Sequence, residues 1–165
     1  MTPPPRFFEK YTALVTEADL PSALVAQGRD FEALIRSVPE SESTVLHAPY
    51  TWTIKQVVHH VIDSERVFGY RALRFARGDT TSLPGFDEHL FASKADSNSR
   101  DLKDLTDEFV SLRTSHVHLF RSMPQAVWSN TGPAANLQWS VTDLCKAIIG
   151  HARHHERIIR SRIGS

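Results

Sequence analysis

The amino-acid sequence predicts an all-α fold, a four-helix bundle made by a single domain over residues 1–165. Three observations predict it. Four segments of roughly 16 to 23 residues carry apolar side chains at helical spacing. Two of them open on a capping-box pattern, a hydroxyl residue followed three positions later by an amide or acid. No stretch shows the sustained apolar–polar alternation of a set of half-buried strands. A chain of 165 residues can bury about 70% of its unfolded surface, which is enough for one full core.

The first helix is expected from about Pro21 to Val38, with Leu24, Phe31, Leu34 and Ile35 on one face and Pro39 as its stop. The second runs from about Ile54 to Ala76, opened by Thr53 with Gln56 and ended by Gly78-Asp79. The third spans about Leu102 to Met123, with Asp101 as its expected N-cap and Pro124 just beyond. The fourth begins after Ser140, where Ser140 and Asp143 form the second capping-box pattern, and continues to about Arg162. Between helices three and four, Trp128–Trp139 with Gly132-Pro133 at its middle is the one place for a short hairpin. The connection from Arg77 to Asp101 is long for a bundle, and such loops are usually functional or disordered. Residues 1–6, with Pro3-Pro4-Pro5, are expected to form a disordered tail.

Nineteen basic side chains balance nineteen acidic ones, so no global field favours nucleic acid or an anionic membrane. No apolar run approaches the roughly 18 residues of a membrane span. The single cysteine, Cys145, cannot form an internal disulfide, and no apolar signal core follows Met1 to Arg6. A reducing cytoplasm is the expectation.

Nine histidines stand out. On the fourth helix, His151 and His155 are four apart and differ by about 40° on the wheel, so they share a face at the edge of the apolar stripe. That spacing lets one helix offer two imidazoles to one metal ion. A third ligand should come from a facing helix. On the second helix His60 sits near the edge of the apolar stripe and His59 almost opposite it, which favours His60. His154 points away from His155 and is not expected to ligate. His116 and His118 are expected to stand outside the site, as are the loop histidines His47 and His89, although either loop can bring its histidine towards it. Cys145 lies about 120° from His151 and is assigned to the core.

Three motifs resemble one family. The run from Trp52 to Glu65, containing His59-His60, resembles the second-helix signature of the DinB/YfiT-like superfamily. Leu83-Pro84-Gly85-Phe86-Asp87-Glu88-His89-Leu90-Phe91 resembles the segment that follows it in the YfiT branch. Gly150-His151-Ala152-Arg153-His154-His155 resembles the fourth-helix histidine motif. The motifs lie in order along nearly the whole chain. The resemblance implies an up-down-down-up bundle and a metal held by His60, eight residues after Trp52, with His151 and His155. It also implies a metal-dependent hydrolase or a bacillithiol-type S-transferase, and a homodimer. Two positions depart from the pattern. Gly85-Phe86 stands where a tyrosine directly after the proline is expected, and Arg153 stands where some relatives carry another histidine.

A three-histidine site leaves positions open for water or substrate, the layout of catalytic rather than structural zinc. The expected cofactor is a divalent transition metal, zinc first and nickel second, with a low-molecular-weight thiol as a further cofactor. Such a cation lowers the pKa of a bound thiol or water towards neutrality. Thiol-dependent transfer to a small-molecule substrate is the first expectation. Metal-dependent hydrolysis is the second, and a non-catalytic metal-binding or stress-response protein the third. Asp87 and Glu65 are the candidate catalytic residues. Asp87, with Glu88, can overhang the open position or cap a short helix. Glu65 falls inside the apolar stripe of helix two and needs a partner, either a ligand imidazole or an arginine. Asp63, Ser64 and Glu156 are further candidates to hold the ligand rings.

Overall fold

Local signals set the ends of the long helices. The computed structural model describes residues 8–163, so the tail expected over residues 1–6 lies outside the described residues. Asp19 caps helix α2 (Leu20–Ser37; a short α1 spans Glu9–Thr12), its Oδ1 accepting from the Ser22 N–H at 3.1 Å. Both capping boxes form. Thr53 opens α4 (Ile54–Ala76) and Ser140 opens α7 (Val141–Arg160), each exchanging side-chain and backbone hydrogen bonds with the residue three positions on. Asp101 stands at the N-cap of α6 (Leu102–Arg121), but its side chain makes no capping bond. The Leu102 N–H instead donates to Glu40 Oε2 at 3.0 Å, from the one-turn α3 (Glu40–Ser43). A residue far off in sequence replaces the local cap.

The long connection is ordered. It holds α5 (Glu88–Lys94) and a 3₁₀ turn at Ser97–Ser99. The expected hairpin also forms, β1 (Thr131–Ala134) antiparallel to β2 (Leu137–Ser140). Its two loop residues, Ala135 and Asn136, have φ of 51° and 62°, the left-handed pair that lets a two-residue turn match the strand twist. Leu83 joins the hairpin. Its N–H donates to Pro133 O at 3.0 Å, and its carbonyl accepts from the Ala135 N–H at 3.1 Å.

Two apolar clusters fill the bundle, one towards each end. The first gathers Leu20 and Leu24 of α2, Phe75 of α4, Phe120 of α6 and Leu144 of α7. The second gathers Phe31 and Ile35, Ile54 and Val58, Leu105 and Phe109, and Ala152 and Ile159. The start of α2 therefore lies with the ends of α4 and α6 and the start of α7. That is an up-down-down-up bundle. Each of α2 and α4 packs against both α6 and α7, so successive helices α2 and α4 stand on a diagonal.

A polar layer separates the clusters. Arg113 grips both Glu65 oxygens, through Nε and Nη2 at 2.8 Å each. Its Nη1 donates to Leu24 O at 3.0 Å and to Gln27 Oε1 at 2.5 Å. His116 Nδ1 lies 3.2 Å from Glu65 Oε1. A Cβ on Gly69 would lie 2.1 Å from the His116 ring, so α4 and α6 can approach this closely only with glycine there. No helix among the described residues is long and apolar enough to cross a membrane.

Candidate metal centre

The antiparallel seam of α4 and α7 brings three imidazoles together. His151 and His155 stack one turn apart on α7, their Nε2 atoms 3.1 Å apart. His60 reaches across from α4, its Nε2 3.0 Å from that of His151. All three rings are buried, with 4–8% of their surface exposed. His59 and His154 are partly exposed. His59 turns away to a 3.0 Å contact with Ser97 Oγ.

The geometry suits a cation better than a hydrogen-bond network. A neutral Nε2 offers one proton or one lone pair, so that of His151 cannot serve both neighbours well. Burial pushes all three imidazole pKa values down, His60 to about 4 and the others well below 6.5, and the neighbouring histidines add to the effect. The rings are therefore neutral with lone pairs available, the state a metal needs. Two zinc–nitrogen bonds of about 2.0–2.1 Å at a tetrahedral angle separate their nitrogens by roughly 3.3 Å. The His60–His151 and His151–His155 spacings fall within a few tenths of an ångström of that, and all the ligand nitrogens lie within 4.8 Å of one another. His155 Nδ1 is buried with no hydrogen-bond partner among the described residues, so packing, rather than a second hydrogen bond, fixes that ring.

Short elements build the walls. Gly150 lets α1 lie on α7, since a Cβ there would meet Tyr11 O at 2.0 Å. The Tyr11 ring stands edge-on to His151, centroids 5.0 Å apart. Trp52 packs on His60 at 5.0 Å and on His89 at 5.4 Å. Two cavities open beside the histidines. One, of about 420 Å³, is bordered by His151, Ser64, Phe68, Arg71, Phe86 and Trp139. The other, of about 250 Å³, is bordered by His60, His155, His89, Lys10 and Arg162. Tyr11 and Glu88 border both. A larger hollow of about 650 Å³ beside Asp19, Arg121 and Trp128 contains no histidine.

The other candidates divide. Asp87 borders the larger cavity, but its Oδ1 caps α5 by accepting from the His89 and Leu90 N–H groups at 3.0 Å each. Glu65 faces neither cavity. Its partner is the arginine rather than a ligand imidazole, and its oxygens are taken up in the polar layer. Ser64 borders the cavity, while Asp63 and Glu156 pair with Arg66 and Arg160. Arg153 binds Glu17 and Leu14 O, tying α7 to the chain after α1. Cys145 is a core residue whose thiol burial pushes up to about 12.

Sequence reasoning missed Tyr11 and Arg71 and set His89 aside as a loop histidine. Tyr11 and His89 sit in short elements that leave no periodic signal. Arg71 carried one, as a charge beside the Phe68–Ala72–Phe75 stripe of α4.

The family model described as the DinB superfamily matches residues 23–159. No curated protein matches the chain. Among solved structures, YfiT from Bacillus subtilis is similar, with a TM-score of 0.78 at 17% identity over 87% of this chain and 83% of that one. That protein is described as a probable metal-dependent hydrolase with an unusual four-helix bundle topology. The likeness shows a shared fold.

Proposed function

This chain belongs to the DinB superfamily, and from that premise we propose that it is a metal-dependent enzyme whose His60, His151 and His155 hold a divalent transition cation, zinc or nickel. One observation carries the reading. Three neutral, buried imidazoles gather their ligand nitrogens within 4.8 Å of one another, with His151 bordering one cavity and His60 and His155 the other. Bound there, the cation supplies Lewis acidity that makes a thiol or a water a better nucleophile near neutral pH.

The protein's own groups do the rest. Phe68, Phe86 and Trp139 line the larger cavity and limit water around the reacting atoms, which strengthens every charge interaction inside. Glu88 borders both cavities, and we assign it to take up the proton that the nucleophile loses. Two cavities suit two reactants, so the first reading is S-transfer from a low-molecular-weight thiol. The thiol proton goes to Glu88, the sulfur bonds to an electrophilic carbon, and the displaced group departs with its electron pair. Hydrolysis is the second reading, favoured by Glu88 and Asp87 on the wall of the larger cavity, where Glu88, or the Asp87 oxygen not engaged in capping α5, can act as base towards water.

The test pairs an aryl halide plus a cysteine-derived thiol against aryl esters without thiol. Metal-loaded protein is expected to form the thioether only with thiol present, and chelation abolishes it. Glu88→Gln lowers the rate by about a hundredfold or more, and Asp87→Ala lowers turnover while leaving metal content intact. Ester turnover without thiol would shift the assignment to hydrolysis. Metal-loaded protein that binds no thiol and turns over neither class would make it a binding protein. The same reading includes a homodimer, supported by the exposed apolar side chains of Leu73, Leu90 and Phe91.

A further inference from the structure

Arg71 is buried without a counter-charge. It is 4% exposed, and its Nη2 donates to Pro84 O at 2.8 Å. Among the described residues it pairs with no carboxylate. Burial alone pushes its guanidinium pKa down, and no neighbouring charge acts the other way. The other buried cations differ, because Lys55 faces Glu40, Arg113 faces Glu65, and Arg162 donates to Trp52 O while its guanidinium stands over the Tyr50 ring. An uncompensated buried charge is costly. It is retained where something else supplies the opposite charge.

The position of Arg71 says where that charge would come from. It lies three turns beyond His60 on α4, about 20° round the wheel and roughly 16 Å along the axis. Ser64 and Phe68 lie between them on the same face. Arg71 and His151 border the same cavity, whose other walls include Phe86 and Trp139. The Pro84 carbonyl holds one edge of the guanidinium. Neither Asp87 nor Glu88, on the same cavity, is within ion-pairing reach of it.

We propose that this cavity takes a small molecule with an apolar body and a carboxylate, and that Arg71 binds the carboxylate at the end remote from the histidines. A single planar guanidinium matches a carboxylate's two oxygens, whereas a dianionic phosphate would call for more donors than this apolar cavity offers. The proposal names the substrate class of the metal-dependent reaction above. It rests on that reading only for which end of the molecule reacts.

The test is binding to chelator-stripped protein, read by calorimetry and by tryptophan fluorescence. The probes are aryl carboxylates from benzoate to phenylvalerate, each paired with its neutral amide. At least one acid is expected to bind about tenfold or more tighter than its amide, the range of a charge-assisted hydrogen bond. In Arg71→Gln the pair should bind within about twofold of each other, with the amide unchanged, and Arg71→Lys should keep part of the preference. No acid-over-amide preference anywhere in the series overturns the proposal, whether or not the variants fold. So does a preference that survives in folded Arg71→Gln, which would move the anion to the smaller cavity beside Lys10 and Arg162. Because binding is read without metal, its failure leaves the metal reading standing, and failure of metal binding leaves Arg71 to be judged by its own result.

Discussion

Buried polar side chains set both the site and the acid limit of this protein. Burial alone would raise the Glu65 carboxyl pKa, but Arg113 and His116 hold it below its ordinary 4.5. A carboxylate with a depressed pKa stabilises the fold fully above its unfolded value and loses that contribution as pH falls through the folded one. The three site histidines act in a higher window. Their lowered pKa values mean that the unfolded chain takes up protons first, so metal-free protein should weaken as pH falls from 6.5 towards about 4, the value for His60. The unfolding free energy of metal-free protein, read by urea titration, should therefore drop between pH 7 and pH 5, with His60 contributing roughly 1–2 kcal/mol. The drop should shrink in His60→Phe, and an unchanged one would contradict neutral burial. In the polar layer, Arg113→Met should cost about 3–5 kcal/mol by leaving the buried Glu65 carboxylate with His116 as its one partner among the described residues, and adding Glu65→Leu should recover most of it. Denaturant titration of the two variants checks this. The histidine trio was legible because helical spacing and stripe position are local properties of α4 and α7. The fate of Glu65 was half legible. The wheel showed a carboxylate in an apolar stripe, but the choice of Arg113 depends on how α6 faces α4.

Among the elements, the long helices, the hairpin and the Asp87 cap of α5 were legible, and the one-turn α1 and α3 were not. The ends of α4 and α7 follow from capping boxes within four residues of sequence, and both formed. The single-turn α1 and α3 are held by contacts distant in sequence, Tyr11 on Gly150 and Glu40 on Leu102 and Lys55, so nothing local announces them. Asp101 shows the reverse failure, a good cap residue whose place a remote glutamate takes. Gly150 is the contact that lets α1 wall the site. Gly150→Val should force α1 off α7, costing about 1–3 kcal/mol as an overpacked core position does. Amide exchange over residues 9–15 should rise well above that of α4 and α7. Bound metal per chain should stay unchanged, since all three ligands sit on the long helices. Unchanged protection of that segment would mean that α1 is not seated on Gly150.

At the scale of the whole molecule, the up-down-down-up arrangement puts the first half of α4 beside the second half of α7, and one seam then collects ligands 91 residues apart in sequence. The flanking α1 and α5 turn that seam into two cavities sharing Tyr11 and Glu88. Sedimentation at micromolar concentration is expected to give a particle twice the 18.6 kDa chain mass, and a clean monomer would overturn the dimer. That this seam is a metal centre is tested most directly by elemental analysis of protein purified without a histidine tag, beside five single-alanine variants. One equivalent of zinc or nickel per chain is expected in the parent, in His59→Ala and in His154→Ala, with steep loss in His60→Ala, His151→Ala and His155→Ala. Metal that survives in those three, or that departs equally in His154→Ala and His155→Ala, would contradict it.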